Sequence, residues 1–404
     1  MFGFKKRVYL DYASATAMLP EAARAMNEAQ MSFANPGSIH AEGVAASKLL
    51  EDSRERIAHE LGCKPRQLIF TSGLTESNNL AILGLARKLQ LSGKTLQGTH
   101  WITSSIEHDS VLEPFGEIER LGGTVRFVDP DPRGIISAQN IATALRPETV
   151  FVSVGWGNNE IGVVQPLAAI SRAIREFEIK NGQKITLDTD AGQAPLYLTP
   201  HVHTLGVDMM ALGAGKLYGP RTIGALYVAD PSMLAPLILG GGQEKGLRAG
   251  TEKAVPAAGF AVALEAVGKE RKKEAERLAK LRDDFAREIA ARIPDAIING
   301  DLKHSLPHML NISIPGERSG EYLVLALDHA GLAISTKSAC REGEARSHVV
   351  YALGDATNAG SSVAQAREER ALNTLRFSLG RDTTERDLKR TLEILCAVVA
   401  SLSG

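Results

Sequence analysis

The stretch QLIFTSGLTESNNLAILGLARKL, residues 67–89, decides the fold class. It begins with a short apolar run, QLIF, that is typical of a buried strand. TSGLTESNNLAILGLARKL then continues with the apolar spacing of an amphipathic helix. A strand that leads straight into a helix is the beginning of a βαβ unit, so this stretch predicts an α/β protein.

The same alternation continues to about residue 230. Further apolar runs repeat the strand signal, with helical patterns between them: HWITSS (100–105), TVRFVD (124–129), TVFVSV (149–154) and KITLDT (184–189). This rhythm predicts a mostly parallel sheet covered by helices. Ligands of such sheets bind beyond the carboxyl ends of the strands. We therefore expect the binding site to be built from the loops that follow the strands: 71–76, 104–110, 155–162 and 189–193.

The pattern changes at the glycine-rich segment LGGGQEKGLRAGT, residues 239–251. A long helical pattern of mixed charge follows it, and then short strands and helices that predict a smaller α+β domain. We expect a large domain over residues 15–255 and a small domain made of residues 1–14 and 256–404. The polar segment 355–372 predicts a surface loop or a short exposed helix.

Composition excludes several classes of function. The formal net charge of −1 and the absence of a basic stripe argue against direct binding to nucleic acid. No apolar run is long enough to span a bilayer, and the N-terminus lacks the apolar region of a signal peptide. The cysteines are Cys63, Cys340 and Cys396, an odd number without metal-ligand spacing. We therefore expect a cytoplasmic protein with no metal site, in which Cys63 and Cys396 are small buried apolar residues.

Several of the predicted loops contain side chains suited to a ligand, although each also has a plainer interpretation. Ser72, Gly73 and Thr75 lie where a strand meets a helix, so they either bind a phosphate group or merely cap the helix. His108 either stacks on a flat cofactor or is a surface histidine. Asn158 and Asn159 either donate into the crevice or form a turn.

The remaining two candidates are an acidic loop and a lysine. Asp190 follows a strand and is placed to hold a cationic ring nitrogen, and we rank a metal site shared with Asp188 well below that role. Lys216 stands among glycines in ALGAGKLYGP, residues 211–220. Partial desolvation lowers the pKa of a lysine and lets it form an imine. A phosphate cradle, a stacking ring, a carboxylate, an amide and a lysine together suit pyridoxal phosphate.

The assembled motifs resemble the cysteine desulfurases of the class V aminotransferase group, which have fold type I of the enzymes that depend on pyridoxal 5'-phosphate. The resemblance extends nearly end to end, and it rests on these blocks in order: YLDYASAT (9–16), ANPGSIH (34–40), FTSGLTESNNLAI (70–82), SSIEHDSV (104–111), NNEIGVVQ (158–165), DAGQ (190–193), GKLYGPRTIGALYV (215–228), GGGQEKGLRAGT (240–251), SAC (338–340) and RFSLGR (376–381).

The resemblance implies a role for each matching residue. Lys216 would bind the cofactor covalently and move protons, and His108 would stack on its ring and assist. The other implied cofactor contacts are Asp190 at the ring nitrogen, Gln193 at the phenolic oxygen, Gly73, Leu74 and Thr75 at the phosphate, and Thr251 at the phosphate of a partner subunit. The implied substrate contacts are Asn35, Asn158 and Arg376. A homodimer with shared active sites follows from the role of Thr251.

Cys340 would be the nucleophile that takes sulfur from L-cysteine and carries it as a persulfide. Its neighbours Lys337 and Arg341 are expected to favour the thiolate. The resemblance also implies a sulfur-acceptor protein, either an iron–sulfur scaffold or a sulfur carrier that serves tRNA thiolation.

The chain departs from the family pattern at the phosphate group. Gly213, Ala214 and Gly215 stand where the family usually has Ser-Gly-His, and Asp188 stands where a histidine is common. Two alternatives therefore stay open. One is a selenocysteine lyase or another pyridoxal-phosphate enzyme of the same class, and the other is a catalytically weak scaffold that binds sulfur-transfer partners.

Overall fold

The structure is a computed structural model that describes residues 7–316, 319–337, 346–354 and 361–402. The predicted nucleophile Cys340, its neighbour Arg341 and the first part of the polar segment, 355–360, lie outside the described residues. None of the helices formed by the described residues is long and apolar enough to cross a membrane.

The described strands, numbered in chain order, are β1 Val8–Tyr9, β2 Leu68–Thr71, β3 His100–Ser104, β4 Thr124–Val128, β5 Thr149–Ser153, β6 Thr186–Asp190, β7 Met209–Gly213, β8 Gly224–Val228, β9 Ile297–Ile298, β10 Met309–Ser313, β11 Leu332–Ala333 and β12 Thr374–Ser378. The helices are α1 Pro20–Ala29, α2 Ala41–Leu61, α3 Leu74–Leu91, α4 Asp109–Arg120, α5 Ala138–Ala144, α6 Leu167–Asn181, α7 Val202–Leu205, α8 Ala254–Arg292, α9 Gly320–His329, α10 His348–Ala352, α11 Ser361–Leu372 and α12 Glu385–Leu402.

The central sheet has seven strands in the order β2-β8-β7-β6-β5-β3-β4. The pairs among β4, β3, β5, β6 and β7 are parallel, and β8 runs antiparallel to both of its neighbours. The predicted α/β class with a mostly parallel sheet is therefore confirmed. The antiparallel strand follows from a short connection, because residues 214–223 between β7 and β8 contain one 3₁₀ turn and no crossover helix.

Both faces of the central sheet are buried. Successive residues of a strand point to opposite faces, so Ile102 and Val152 join one apolar cluster while Trp101 and Phe151 join another. This two-sided burial explains why the strands are continuous apolar runs in the sequence. The site forms where the parallel strands end, at Asp190 of β6 and in the loops after β3 and β5.

The C-terminal part of the chain forms a smaller antiparallel sheet in the order β12-β10-β9. A two-stranded parallel sheet joins β1 to β11, with Val8 opposite Leu332. This pairing supports the assignment of residues 1–14 to the small domain, although the domain boundaries stay a prediction. The second part of the polar segment is the helix α11, one of its two predicted forms.

Candidate active site

The carboxyl ends of the parallel strands surround a cavity of about 220 Å³, called here the ring cavity. All four predicted loops contribute to its lining, and the N-terminal segment and β12 close it. Its lining residues are Ala13, Ser14, Leu74, Thr75, Ile106, Glu107, His108, Ser110, Gly155, Gly157, Asn158, Asn159, Gln165, Asp190, Gly192, Gln193, Lys216 and Arg376. The sheet topology thus brings together most of the site residues predicted from sequence.

Lys216 ends a short 3₁₀ turn that follows β7. Its Nζ atom donates to the carbonyl oxygens of Ala13 and Ser14, each at 2.8 Å. Thr16 in the same segment donates its hydroxyl to the carbonyl of Gly215. The N-terminal segment therefore holds the amine at the mouth of the ring cavity.

Asp190, the last residue of β6, is held through both carboxylate oxygens. The backbone N–H of Gly192 donates to Oδ1 at 2.8 Å, and the Nδ2 of Asn78 donates to Oδ2 at 2.7 Å. Asn78 also donates to the Ser110 hydroxyl, which links α3 to α4 below the cavity. These contacts fix the direction of the carboxylate before any ligand binds.

His108 caps the N-terminus of α4. Its Nδ1 atom accepts the backbone N–H of Ser110 at 3.0 Å and lies 2.9 Å from the Ser110 hydroxyl. In this tautomer Nδ1 carries no proton, so the proton of the neutral ring is on Nε2. His108 therefore both caps a helix and lines the cavity, while its stacking on a cofactor stays a prediction.

Two buried carboxyl groups lie beside Asp190. Glu107 accepts the Ser104 hydroxyl at 2.5 Å and the N–H of Gly155 at 3.0 Å. Asp188 accepts the Ser153 hydroxyl at 2.7 Å and does not line the cavity. Burial raises the pKa of Glu107 and of Asp188 to about 7, despite these hydrogen bonds. Burial thus favours the neutral form of Asp188 and weakens the negative charge that this residue adds near Asp190.

Gln193 lies under the N-terminal segment. Its Nε2 donates to the carbonyl of Ala13 at 2.9 Å. Its Oε1 is buried and has no hydrogen-bond partner among the described residues. A buried polar atom without a partner is costly, so it indicates a ligand group at this place.

Arg376 on β12 is almost fully buried and already carries a counter-ion. Its guanidinium donates to Asp11 at 2.8 Å, to the Ser14 hydroxyl at 2.6 Å and to the carbonyl of Asn159 at 2.9 Å. The Nε atom has no partner among the described residues. A substrate carboxylate would therefore share this arginine with Asp11.

Asn158 has a structural task in addition to lining the cavity. Its Oδ1 accepts from the N–H groups of Glu160 and Ile161, and its Nδ2 donates to the carbonyl of Ile106 at 2.8 Å. One amide hydrogen remains for a ligand. Asn158 therefore holds this loop as a turn, and its role as a donor to a ligand stays a prediction.

A second hollow, of about 390 Å³, adjoins the ring cavity and is called here the phosphate hollow. Its lining residues are Ser14, Ala15, Ser72, Gly73, Leu74, Thr75, Glu76, Gly213, Gly215, Lys216, Arg221 and Ile223. The first turn of α3 lies at this hollow. The first N–H groups of any helix have no partner within the helix, so those of α3 are placed to donate to a ligand. Gly73 has a φ of 153°, which favours glycine.

Three sequence-predicted residues lie away from both cavities. Asn35 and Thr251 are exposed and line neither of them. Cys340 lies outside the described residues. Lys337, which was expected to favour the thiolate, is paired with Glu321 at 2.9 Å.

Sequence reasoning missed Asn78, Ser110, Asp11 and the carbonyls of residues 13 and 14. Asn78 lies inside the quoted TSGLTESNN stretch, and its place four residues after Leu74 on α3 is the only signal that could have found it. The contacts of Asp11 could not be found, since they join residues 365 positions apart in the chain.

The comparisons with known proteins agree with this geometry. The family described as "Aminotransferase class-V" matches residues 8–391. The cysteine desulfurase IscS of Dictyoglomus turgidum is 38% identical over 400 residues, covering 98% of this chain and 96% of that protein. Cysteine desulfurase IscS 1 of Archaeoglobus fulgidus is 37% identical, covering 98% and 97%.

Solved structures give the same result. A "NIFS-LIKE PROTEIN" superposes with a TM-score of 0.86 and 29% identity, covering 98% of this chain and 100% of that chain. The structure named "SspA in complex with cysteine" superposes with a TM-score of 0.74 and 34% identity, covering 92% and 98%. The chain therefore belongs to the class V aminotransferase family and, within it, to the cysteine desulfurases.

Proposed function

We propose that the protein uses pyridoxal phosphate to remove the sulfur atom of L-cysteine, releasing L-alanine and leaving a persulfide on Cys340. One observation carries the proposal. The amine of Lys216, the carboxylate of Asp190 and the imidazole of His108 line a single cavity, and a hollow suited to a phosphate joins that cavity at Lys216.

The residues present fit this cofactor. The carboxylate of Asp190 suits a protonated ring nitrogen, and the buried, unpartnered Oε1 of Gln193 lies near where a phenolic oxygen would be expected. With Nε2 held by the carbonyl of Ala13, Oε1 would accept a hydrogen bond from a protonated phenolic hydroxyl group. Thr75 and the first turn of α3 provide donors for a phosphate. When bound, pyridoxal phosphate withdraws electrons from the α-carbon of an amino acid.

The protein's own groups then handle the protons. Lys216 accepts and returns a proton at the substrate α-carbon, because its amine is already held at the cavity mouth. His108 is free to use Nε2, since Nδ1 is fixed by Ser110. Asp190 keeps the ring nitrogen positively charged, and its two hydrogen bonds hold it in place.

Substrate orientation is assigned to Arg376 and Asn158. The unpartnered Nε of Arg376 and the free amide hydrogen of Asn158 provide two donors for the α-carboxylate. Asp11 balances the arginine charge while the cavity is empty and limits the affinity for the substrate carboxylate. Asn35 would join only after a change in its loop, since its side chain is exposed.

The thiolate of Cys340 attacks the sulfur of the substrate. A sulfur–sulfur bond forms and the carbon–sulfur bond breaks, and the released electron pair takes up a proton to give the methyl group of alanine. Cysteine and the enzyme thiol thus become alanine and an enzyme persulfide, with no other reductant or oxidant. An acceptor protein, either an iron–sulfur scaffold or a sulfur carrier, then takes the outer sulfur atom.

A homodimer with shared sites is also part of the proposal. Large apolar side chains near the N-terminus are strongly exposed: Met31, Phe33, Ile39 and Val44. A patch of this kind is unusual on a monomer and is typical of an interface. Exposed Thr251 would then reach the site of the second copy. A cytoplasmic location remains a prediction from the odd number of cysteines.

The experiment is mass analysis of the peptide that contains residue 340 after incubation with cysteine labelled at sulfur. We expect one added labelled sulfur and an equal amount of alanine. Cys340→Ser should abolish both. Cys63→Ser is the matched control and should abolish neither, because burial raises the pKa of Cys63 to about 11 and keeps it protonated.

Alanine formation that survives in Cys340→Ser would contradict the proposed role of this thiol. It would favour a selenocysteine lyase or another enzyme of the same class. The absence of both products from wild-type protein supplied with cofactor would favour the scaffold alternative.

A further inference from the structure

The phosphate hollow is lined by glycines at the two places where the family resemblance leads one to expect a serine and a histidine. A Cβ atom on Gly213 would lie 2.8 Å from Cγ of Leu74. A Cβ atom on Gly215 would lie 3.2 Å from Cα and 3.3 Å from Cγ of Arg221. Leu74 and Arg221 therefore occupy the space next to these glycines, and a side chain at either position would displace them.

Arg221 adds a positive charge to the lining of the phosphate hollow. It lines the hollow together with Gly73, Thr75 and Lys216. Within the described residues its guanidinium forms no ion pair and donates no hydrogen bond. Its charge opposes the rise that burial and Asp11 impose on the pKa of Tyr9, so it acts on the N-terminal segment that closes the hollow.

The other charges around the hollow are already committed. Glu76 accepts from Arg248 at 2.8 Å and from the backbone N–H of Ser72 at 2.9 Å. Arg248 therefore neutralises Glu76 and has no spare charge for a phosphate. Lys216 is engaged by the carbonyls of residues 13 and 14 and is assigned to the covalent bond. A phosphate with nearly two negative charges needs a further cation here.

We infer that Arg221 is the cationic side chain that binds the cofactor phosphate, in the space that Gly215 leaves open. The inference rests on the proposed function and deepens it. A guanidinium can hold two phosphate oxygens at once, which compensates for the two ligands absent at residues 213 and 215. Arg221 is exposed and lines the hollow, so its long side chain can reach a phosphate bound there.

The test compares two ligands that differ only in the phosphate. Protein freed of cofactor is titrated with pyridoxal phosphate and with pyridoxal, following the visible absorbance that requires Lys216. Arg221→Gln should weaken the binding of pyridoxal phosphate by about ten- to a hundred-fold, the range for a hydrogen bond to a charged group. The affinity for pyridoxal should stay unchanged. Arg66→Gln removes an exposed charge outside both cavities and should alter neither affinity.

A conservative variant separates a phosphate contact from a packing effect. Lysine keeps the positive charge but lacks the fork that binds two oxygens at once. Arg221→Lys should keep more affinity than Arg221→Gln.

Two results would overturn the inference and leave the proposed function standing. If Arg221→Gln bound pyridoxal phosphate within about two-fold of wild type, the proposed function would stand and Arg221 would have no part in it. Equal losses for both ligands would assign Arg221 to packing. Wild-type protein without any Lys216-dependent absorbance would instead overturn the proposed function, and this inference with it.

Discussion

The ring cavity and the phosphate hollow are neighbours, but they are built in opposite ways. In the ring cavity the functional groups are half-buried or buried and already hydrogen-bonded, as Asp190 is by Asn78 and Gly192. In the phosphate hollow the lining includes the glycines Gly73, Gly213 and Gly215, and Thr75 and Arg221 are exposed. The first region is ordered before the cofactor binds, whereas the second takes its final contacts from the cofactor.

This difference separates the expected effects of mutations. Changes in the ring cavity remove groups that act in the transition state, so they should lower turnover. Changes in the phosphate hollow remove contacts that are present throughout the reaction, so they should mainly lower cofactor affinity. A ring-cavity variant that lost only cofactor affinity, or a phosphate-hollow variant that lost only turnover, would contradict this distinction.

The largest effect is expected at Lys216, the residue shared by both regions. Lys216→Ala removes the amine that moves the proton at the α-carbon, and we expect turnover to fall by at least about a thousand-fold. Alanine production measures this loss. Cofactor should still bind non-covalently without the visible absorbance, and addition of a small primary amine should restore some activity.

The next effect is expected at Asp190. Asp190→Asn keeps the shape and can still accept the N–H of Gly192, but it removes the charge opposite the ring nitrogen. We expect turnover to fall by about a hundred-fold, in line with the loss of one preorganised electrostatic contact. Cofactor affinity should change much less. A variant that lost affinity and kept its turnover would contradict the assignment.

Much of the ring cavity could be predicted from sequence because parallel strands end at one edge of the sheet. That rule alone places His108, Asn158 and Asp190 together. The contact of the N-terminal segment with Lys216 could not be predicted. Residues 13 and 14 contact it through backbone carbonyls, which any residue type provides, so the sequence contains no signal for the contact.

The phosphate hollow was the least predictable part. The glycines at 213 and 215 indicate only that ligands are missing. Which side chains fill the space depends on the turn between β7 and β8, which returns Arg221 to the side of Gly215. Such a contact depends on tertiary geometry and not on spacing along the chain.

Acid titration should change stability in opposite directions at two carboxyl groups, Asp188 behind the ring cavity's Asp190 and Glu76 in the phosphate hollow. Burial raises the pKa of Asp188 to about 7, so folding favours its protonated form. Its stabilising contribution is present below about pH 4 and is lost as the pH rises towards 7. Asp188→Asn avoids that loss and still accepts from Ser153. Without cofactor, we expect its advantage over wild type in urea unfolding to grow by about 2 kcal/mol between pH 5 and pH 8, at about 1.4 kcal/mol per pKa unit.

Glu76 in the phosphate hollow is the matched control for that measurement. Burial alone would raise the pKa of Glu76, but hydrogen bonds from Arg248 and Ser72 outweigh this effect and lower the pKa. Its stabilising contribution is therefore present at neutral pH and lost in acid. Glu76→Gln should be at its greatest disadvantage at pH 8 and should approach wild type as the pH falls. If the stability of both variants relative to wild type changed in the same direction with pH, the pKa shifts of Asp188 and Glu76 would be contradicted.

The smallest effect is expected at Thr75, whose exposed side chain lines both regions. Thr75→Val keeps the shape and removes only the hydroxyl. A single neutral donor at an exposed place contributes about 0.5–1.5 kcal/mol, so we expect pyridoxal phosphate to bind about three- to ten-fold more weakly. Binding of pyridoxal and turnover at saturating cofactor should stay unchanged. Thr95→Val, at an exposed position outside both cavities, is the control. A loss of turnover at saturating cofactor would mean that Thr75 acts on the ring side and that the boundary between the two regions lies elsewhere.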